Sequence, residues 1–173
     1  RNTESGIDEY TYNLYAGFDK SFNPQWSLSA SAAVEYYQME EYKKWAVYPT
    51  LQLSYVYSPQ HIFQLTFSSD KTYPDYWTLS GATGYMSSYT ESQGNMYLRP
   101  YTAYSTQLSY ILKSKYIFQV GYDYMPDFFQ QMLYLDSSQL KAIYNFRNWD
   151  YSSKFKIVSV LPFKAGNWLN SQL

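Results

Sequence analysis

Apolar and polar positions alternate with a period of two along most of this chain. Tyr10, Tyr12, Leu14, Ala16 and Phe18 share one face of a strand, and Thr11, Asn13, Gly17 and Asp19 share the other, with Tyr15 among them. The cleanest stretch follows: Trp26, Leu28, Ala30, Ala32, Val34 and Tyr36 against Ser27, Ser29, Ser31, Ala33 and Glu35. Period two marks a strand with two unlike faces. A helix over 26–36 would spread its serines all round the axis. The stretch is about ten residues long, the length a tilted strand needs to cross a membrane.

The same pattern predicts further strands. Over 45–57, Trp45, Val47, Leu51, Leu53, Tyr55 and Tyr57 form the apolar face. Pro49 removes one ladder donor there, which predicts a local break or an edge. A fourth strand covers 62–69 and a fifth 101–112. The sixth starts at Tyr116, sets Phe118, Val120, Tyr122 and Tyr124 against Gln119, Gly121 and Asp123, and continues past Pro126 to about 134. The seventh spans 140–161, with Phe155, Ile157 and Leu161 opposite Lys154 and Lys156. Its alternation fails over 145–151, so a second reading divides it at 148–150. Residues 162–167 read as a turn, and Trp168 opens an eighth strand.

Short connections at 23–24, 58–61, 113–115 and 163–167 interleave with longer ones at 38–44, 70–100 and 135–139. Tight turns on one rim and elaborated loops on the other are the plan of an up-and-down transmembrane β-barrel. The fold class is therefore all-β and antiparallel, with about eight barrel strands. The whole of 1–173 reads as one barrel segment, taken from a longer protein.

Composition sharpens this picture. Aromatic residues make up 22% of the chain and 23 residues are Tyr, more than a water-soluble core can furnish with hydroxyl partners. Tyrosine suits a boundary where one end of the ring is dry and the other wet: a membrane interface, or a surface that binds carbohydrate or peptide. The net charge of −1 offers no basic field for nucleic acid. Without cysteine there is no disulfide framework and no Cys-based zinc or redox site. Mean hydropathy is −0.49. The richest apolar run, 157–161, falls far short of the ~20 residues of a membrane helix. Barrels escape that requirement because half of each strand faces a polar lumen.

No catalytic constellation, metal site or cofactor site is visible. His61, the single histidine, sits in a minimal turn as a solvated residue, without a second ligand to hold a metal. Glu40, Glu41, Lys43 and Lys44 read as a solvated loop. Trp26, Trp45, Tyr55, Tyr57, Phe63, Tyr116 and Phe118 lie near strand ends, where an aromatic girdle anchors a barrel. Tyr73, Tyr76, Trp77, Tyr85 and Tyr89 fall in the long 70–100 segment. Loops of that length are usually functional, and these rings either pack the loop on itself or stack on a ligand. Gly94, Asn95, Leu98 and Pro100 read as a structural corner where the segment re-enters the sheet.

Two motifs in that segment carry a family resemblance. Pro74-Asp75-Tyr76-Trp77-Thr78-Leu79 is followed by Gly94-Asn95-Met96-Tyr97-Leu98-Arg99-Pro100. This order resembles the TonB-dependent receptors, and within them the outer-membrane β-barrel proteins of Bacteroides-like bacteria. The family pattern has Pro where this chain has Met96, and frequently Glu where it has Tyr101. Leu161-Pro162-Phe163-Lys164 with Gly166-Asn167-Trp168 resembles the family's periplasmic turn. The resemblance implies an energised importer, not an enzyme, in the bacterial outer membrane: a barrel of about 22 strands around an N-terminal plug. It implies a nutrient ligand such as a glycan, a peptide or a metal chelate. The implied partners are outer-membrane lipid, the remaining strands and plug of the parent chain, a TonB complex reached through that plug, and a surface lipoprotein. Two other readings remain open: a complete eight-stranded barrel serving as adhesin, anchor or pore, and a soluble aromatic-rich β-protein that binds glycans.

Overall fold

The computed structural model describes residues 9–39, 42–136, 140–165 and 169–172. Its elements in order are β1 (Glu9–Ser21), β2 (Trp26–Met39), β3 (Tyr42–Ser58), β4 (His61–Thr72), α1 (Tyr76–Leu79), β5 (Thr83–Ser87) and β6 (Thr90–Gln93). Then follow β7 (Tyr101–Leu112), β8 (Tyr116–Pro126), β9 (Phe129–Asp136), β10 (Lys141–Asn148), β11 (Tyr151–Val160), β12 (Pro162–Ala165) and β13 (Leu169–Gln172). The chain divides into two compact units, one of residues 1–69, 105–122 and 155–173, the other of 70–104 and 123–154.

The first unit is built on a seven-stranded sheet in the order β1-β2-β3-β4-β7-β8-β11. The register carries the alternation from strand to strand. Leu14 pairs with Val34 and Val34 with Val47; Phe18 pairs with Ala30, Ala30 with Leu51 and Leu51 with Phe67; Leu28 pairs with Leu53 and Leu53 with Leu65. All of these share one face, which is apolar and open: Leu14 is 73% exposed and Val47 53%. The opposite face is polar, and there the buried groups lie. Glu35 is 8% exposed, Tyr37 1% and Ser109 6%. The Tyr48 hydroxyl donates to Glu35 over 3.3 Å, and the Gln119 amide donates to the Ser109 hydroxyl over 3.2 Å. Water would favour the reverse arrangement, with apolar residues in and polar residues out. A sheet of this polarity is at home where its apolar face meets hydrocarbon.

Rings bracket the apolar face. At the tight-turn end, Trp26 stacks on Tyr55 (4.3 Å between ring centres), Tyr55 on Phe63 (6.3 Å), Phe63 on Tyr110 (4.7 Å) and Tyr110 on Phe118 (6.2 Å). At the other end, Tyr36 packs against Tyr12 (6.4 Å) and Trp45 (4.9 Å). Trp26 and Tyr36 bound the band on β2, ten residues apart. At ~3.3 Å per residue and a tilt of about 40°, that spacing spans roughly 25 Å, the height of a barrel's apolar band.

Each tight turn has a local cause. The Asn23 side chain accepts from the backbone N–H of Gln25 (2.9 Å) and Trp26 (2.8 Å), closing the β1–β2 connection. Pro59 and Gln60 close β3–β4, where Ser58 faces His61. Lys113 (φ 54°) and Ser114 (φ 51°) close β7–β8 in the left-handed region that a two-residue hairpin demands.

Several expectations are corrected. The β2–β3 ladder runs unbroken through Pro49, which pairs with Ala32. Pro49 has no N–H, yet its carbonyl is used by the Ser69 hydroxyl (2.9 Å). Lys43 and Lys44 are not in a loop but in β3, opposite Gln38 and Tyr37, so the 38–44 connection is short. Glu40 and Glu41 lie outside the described residues. His61 is not a free turn residue: it opens β4, half-buried, with Nδ1 2.7 Å from the Tyr110 hydroxyl. The sixth strand stops at Pro126, because Asp127 turns into the left-handed region (φ 55°), and β9 pairs in a different sheet. The stretch 140–161 is two strands divided at Trp149 and Asp150, as the second reading had it. Residues 162–165 are strand β12, paired with β13; Trp168 lies outside the described residues. Among the described residues the large sheet is open, with β1 and β11 as its edges, so the complete eight-stranded barrel finds no closure here. Its outward apolar face likewise speaks against the soluble glycan-binding protein.

Candidate functional site: the 73–100 segment and its anchor

The second unit turns the expected long loop into structure. A four-stranded sheet runs in the order β5-β6-β10-β9. β5 pairs antiparallel with β6, and β9 with β10, while β6 and β10 run parallel, Glu91 beside Ile143.

The single helical turn α1 is held from below by Asp75. Its carbonyl accepts from Thr78 N (2.9 Å), Leu79 N (3.2 Å) and the Thr78 hydroxyl (2.7 Å). Thr78 and Leu79 are thereby drawn into the interior of the unit, 2% and 5% exposed. Gly94 then passes over the end of α1. A Cβ at this position would overlap the Ser80 carbonyl and stand 2.9 Å from Thr78 O, so no other residue fits. Asn95 uses both ends of its amide: Nδ2 donates to Phe146 O (2.9 Å), and Oδ1 accepts from Tyr97 N (3.0 Å). Its backbone N–H donates to Thr78 O (2.6 Å). Leu98 is 2% exposed, and buried Pro100 leads into β7 at Tyr101.

The corner has an anchor that no sequence signal marks. Asn148 accepts at Oδ1 from Arg99 N (2.9 Å), and its Nδ2 donates to Arg99 O (2.9 Å) and Asp127 O (2.6 Å). The Arg99 guanidinium pairs with the Asp127 carboxylate at 3.1 Å. Three segments distant in sequence are tied at this one side chain.

The candidate aromatic residues separate into two kinds. Tyr76, Trp77, Tyr85 and Tyr89 are exposed, between 60% and 76%. Tyr73 is half-buried, with the Lys71 ammonium over its ring at 4.6 Å. Trp77 meets the edge of Phe146 at 5.4 Å, so one of its faces packs. The sequence reading passed over Met86 and named Met96 and Tyr97 only within the 94–100 motif, not as ligand candidates, yet all three are equally exposed. It also passed over the Lys141–Glu91 ion pair, in which Glu91 is buried. Lys141 reaches over the Tyr85 ring at 5.9 Å, and its hydrogen bond to Glu91 holds its ammonium above the usual lysine range. Among the described residues no three His, Cys, Asp or Glu come together to hold a metal ion. The surface sets flat rings beside cations, Lys71 over Tyr73 and Lys141 over Tyr85.

A family model described as "Outer membrane protein beta-barrel family" matches residues 2–173. Comparison with curated proteins gives no match. Among solved structures, the chain is similar to a mutant of the ferric enterobactin receptor of Pseudomonas aeruginosa in complex with enterobactin: TM-score 0.63, 13% identity, 95% of this chain and 26% of that one. It is similar to the siderophore receptor PirA of the same organism (TM-score 0.68, 12% identity, 95% of this chain and 33% of that one). The PirA of Acinetobacter baumannii gives TM-score 0.58 at 10% identity, over 92% of this chain and 26% of that one. The chain thus spans a quarter to a third of the length of these receptors.

Proposed function

The chain belongs to the outer membrane protein beta-barrel family, and from that premise we propose that it forms part of the barrel wall of a TonB-dependent transporter importing a nutrient across the bacterial outer membrane. The inverted polarity of the large sheet carries this reading: an apolar, ring-bracketed face turned outward and a polar face with the buried groups. Likeness in fold to receptors three to four times its length supports a segment of a larger barrel, of about 22 strands in such transporters. On this reading 1–173 is a single barrel segment. The rest of the parent chain supplies the remaining strands and the plug, and energy comes through a TonB complex. The ligand is a glycan, a peptide or a metal chelate, met by Tyr76, Trp77, Tyr85 and Tyr89, with Tyr73 beside them. Gly94, Asn95, Leu98 and Pro100 hold that segment in place and touch no ligand. The role is transport, not catalysis.

The test is uptake by whole cells carrying or lacking the full-length protein. Labelled ferric chelates, oligosaccharides and oligopeptides are supplied in turn, with and without a protonophore. Uptake of one ligand class is expected to depend on the protein and to collapse when the proton gradient is dissipated. Protein-dependent uptake that ignores the protonophore, or no dependence for any class, overturns the proposal.

A further inference from the structure

The tight-turn rim of the large sheet carries a cluster of cations with an aromatic bed beneath it. The turns at 58–61 and 112–116 are neighbours, tied by Lys113 N–H to the Gln60 carbonyl (2.7 Å). The turn sequence Lys113-Ser114-Lys115 presents two exposed lysines. Two-residue hairpins of this left-handed kind favour Asn-Gly, and non-glycine residues pay conformational strain there. The chain accepts that strain at Lys113 and Ser114. Lys115 Nζ lies 5.3 Å from the centre of the Tyr116 ring. His61 stacks on Tyr110 (6.0 Å, 19° between planes) and shares a hydrogen bond with its hydroxyl through Nδ1, which leaves the Nε2 edge of the ring directed elsewhere. The three tight turns at 21–26, 58–61 and 112–116 contain no Asp or Glu.

What borders this cluster follows from the sheet itself. Tyr110, Phe63 and Phe118 belong to the ring row that closes the apolar band. The layer next to such a row is the headgroup layer of the leaflet. Tight turns lie on the periplasmic side of a barrel, where the leaflet is phospholipid. We infer that the rim made by the 58–61 and 112–116 turns is a headgroup site for an anionic glycerophospholipid. The Lys113 and Lys115 ammoniums take the phosphate, and the Tyr110–His61 pair and Tyr116 flank the glycerol. This inference rests on the membrane placement of the sheet and is independent of what the barrel transports.

The test uses the full-length protein in mild detergent, with native mass spectrometry reading bound lipid during titration with phosphatidylglycerol or phosphatidylethanolamine. A cation beside an anionic surface contributes about fivefold in affinity. Lys113→Gln with Lys115→Gln is therefore expected to lower phosphatidylglycerol binding about 25-fold, and the weaker phosphatidylethanolamine binding by less, because that headgroup's own ammonium offsets its phosphate. The control pair Lys43→Gln with Lys44→Gln removes the same charge elsewhere and is expected to leave both alone. Inorganic phosphate at equal concentration is expected not to displace the lipid; displacement would mark a free-phosphate site and overturn the assignment. Equal loss in both variant pairs, or no loss in either, also overturns it. A heat-modifiable band on a gel confirms folding. Where the double variant does not fold, Lys115→Gln alone is read against the fivefold expectation.

Discussion

Placing an arginine on the outer face should cost stability according to depth, and the register fixes the depth. Leu51 is four residues from Tyr55 in one ring row and six from Trp45 in the other. At ~3.3 Å per residue and about 40° of tilt, Leu51 lies roughly 10 Å from the tight-turn rim, near the middle of a ~25 Å band. Leu53 lies roughly 5 Å from that rim by the same arithmetic. Leu51→Arg should then cost about 2–4 kcal/mol and Leu53→Arg about 1 kcal/mol. Thr50 stands beside Leu51 at the same depth but on the polar face, so Thr50→Arg should cost under about 1 kcal/mol. The assay is denaturant unfolding of the full-length protein in phospholipid vesicles, followed by tryptophan fluorescence, with the three variants compared at one lipid composition. Equal losses at 50 and 51 would show that the two faces do not differ in surroundings, and the membrane assignment of the sheet would fall. A larger loss at 53 than at 51 would refute the depth scale while leaving the faces intact.

Gly94→Ala puts a methyl group into the Ser80 carbonyl, and the backbone must move; a loss of about 3 kcal/mol or more is expected, read as faster protease cleavage within 74–100 in membrane-embedded protein. The Lys141–Glu91 pair gives a pH dependence of known sign. The folded pKa of Lys141 is raised, so its contribution is complete below the unfolded value of about 10.4 and is lost as pH rises through the higher folded value. Subtilisin cleavage within 83–93 should accordingly accelerate above about pH 10.5, and Lys141→Met should remove that acceleration. An identical pH profile in the variant would rule the pair out as its cause.

The large sheet was legible because its information is local. Alternation from Tyr10 to Phe18 and from Trp26 to Tyr36 assigns each residue to a face without knowledge of its partner, and the turns supply the register. Pro49 misled because sequence shows the missing N–H but not which neighbour it faces. The second unit was illegible for the opposite reason. Short segments such as 90–93 carry too few residues to show a period, and β6 finds a parallel partner some fifty residues away. Asn148 looks like any loop asparagine until Arg99 and Asp127 are brought beside it. At Gly94 the constraint is a backbone one, the close approach to the Ser80 carbonyl, and a constraint of that kind is one that glycine records in its own chemistry.

The tyrosine content has one physical origin with two expressions. On the outer face, Tyr36, Tyr55 and Tyr110 stand at the two ends of the apolar band, in the ring rows. On the inner face the same residue fills space that a polar wall leaves beside small neighbours. The Tyr15 hydroxyl lies over Gly17, 3.0 Å from where a Cβ would be, and Tyr48 reaches Glu35. Phenylalanine could serve neither place as well: it lacks the polar tip needed at the headgroup boundary and the donor needed beside a buried carboxylate. A sheet with hydrocarbon on one side and a wet interior on the other meets a dry-to-wet boundary at each strand end and across its own thickness. Tyrosine is the side chain that spans such a boundary, which is why a chain this rich in it can also have a negative mean hydropathy.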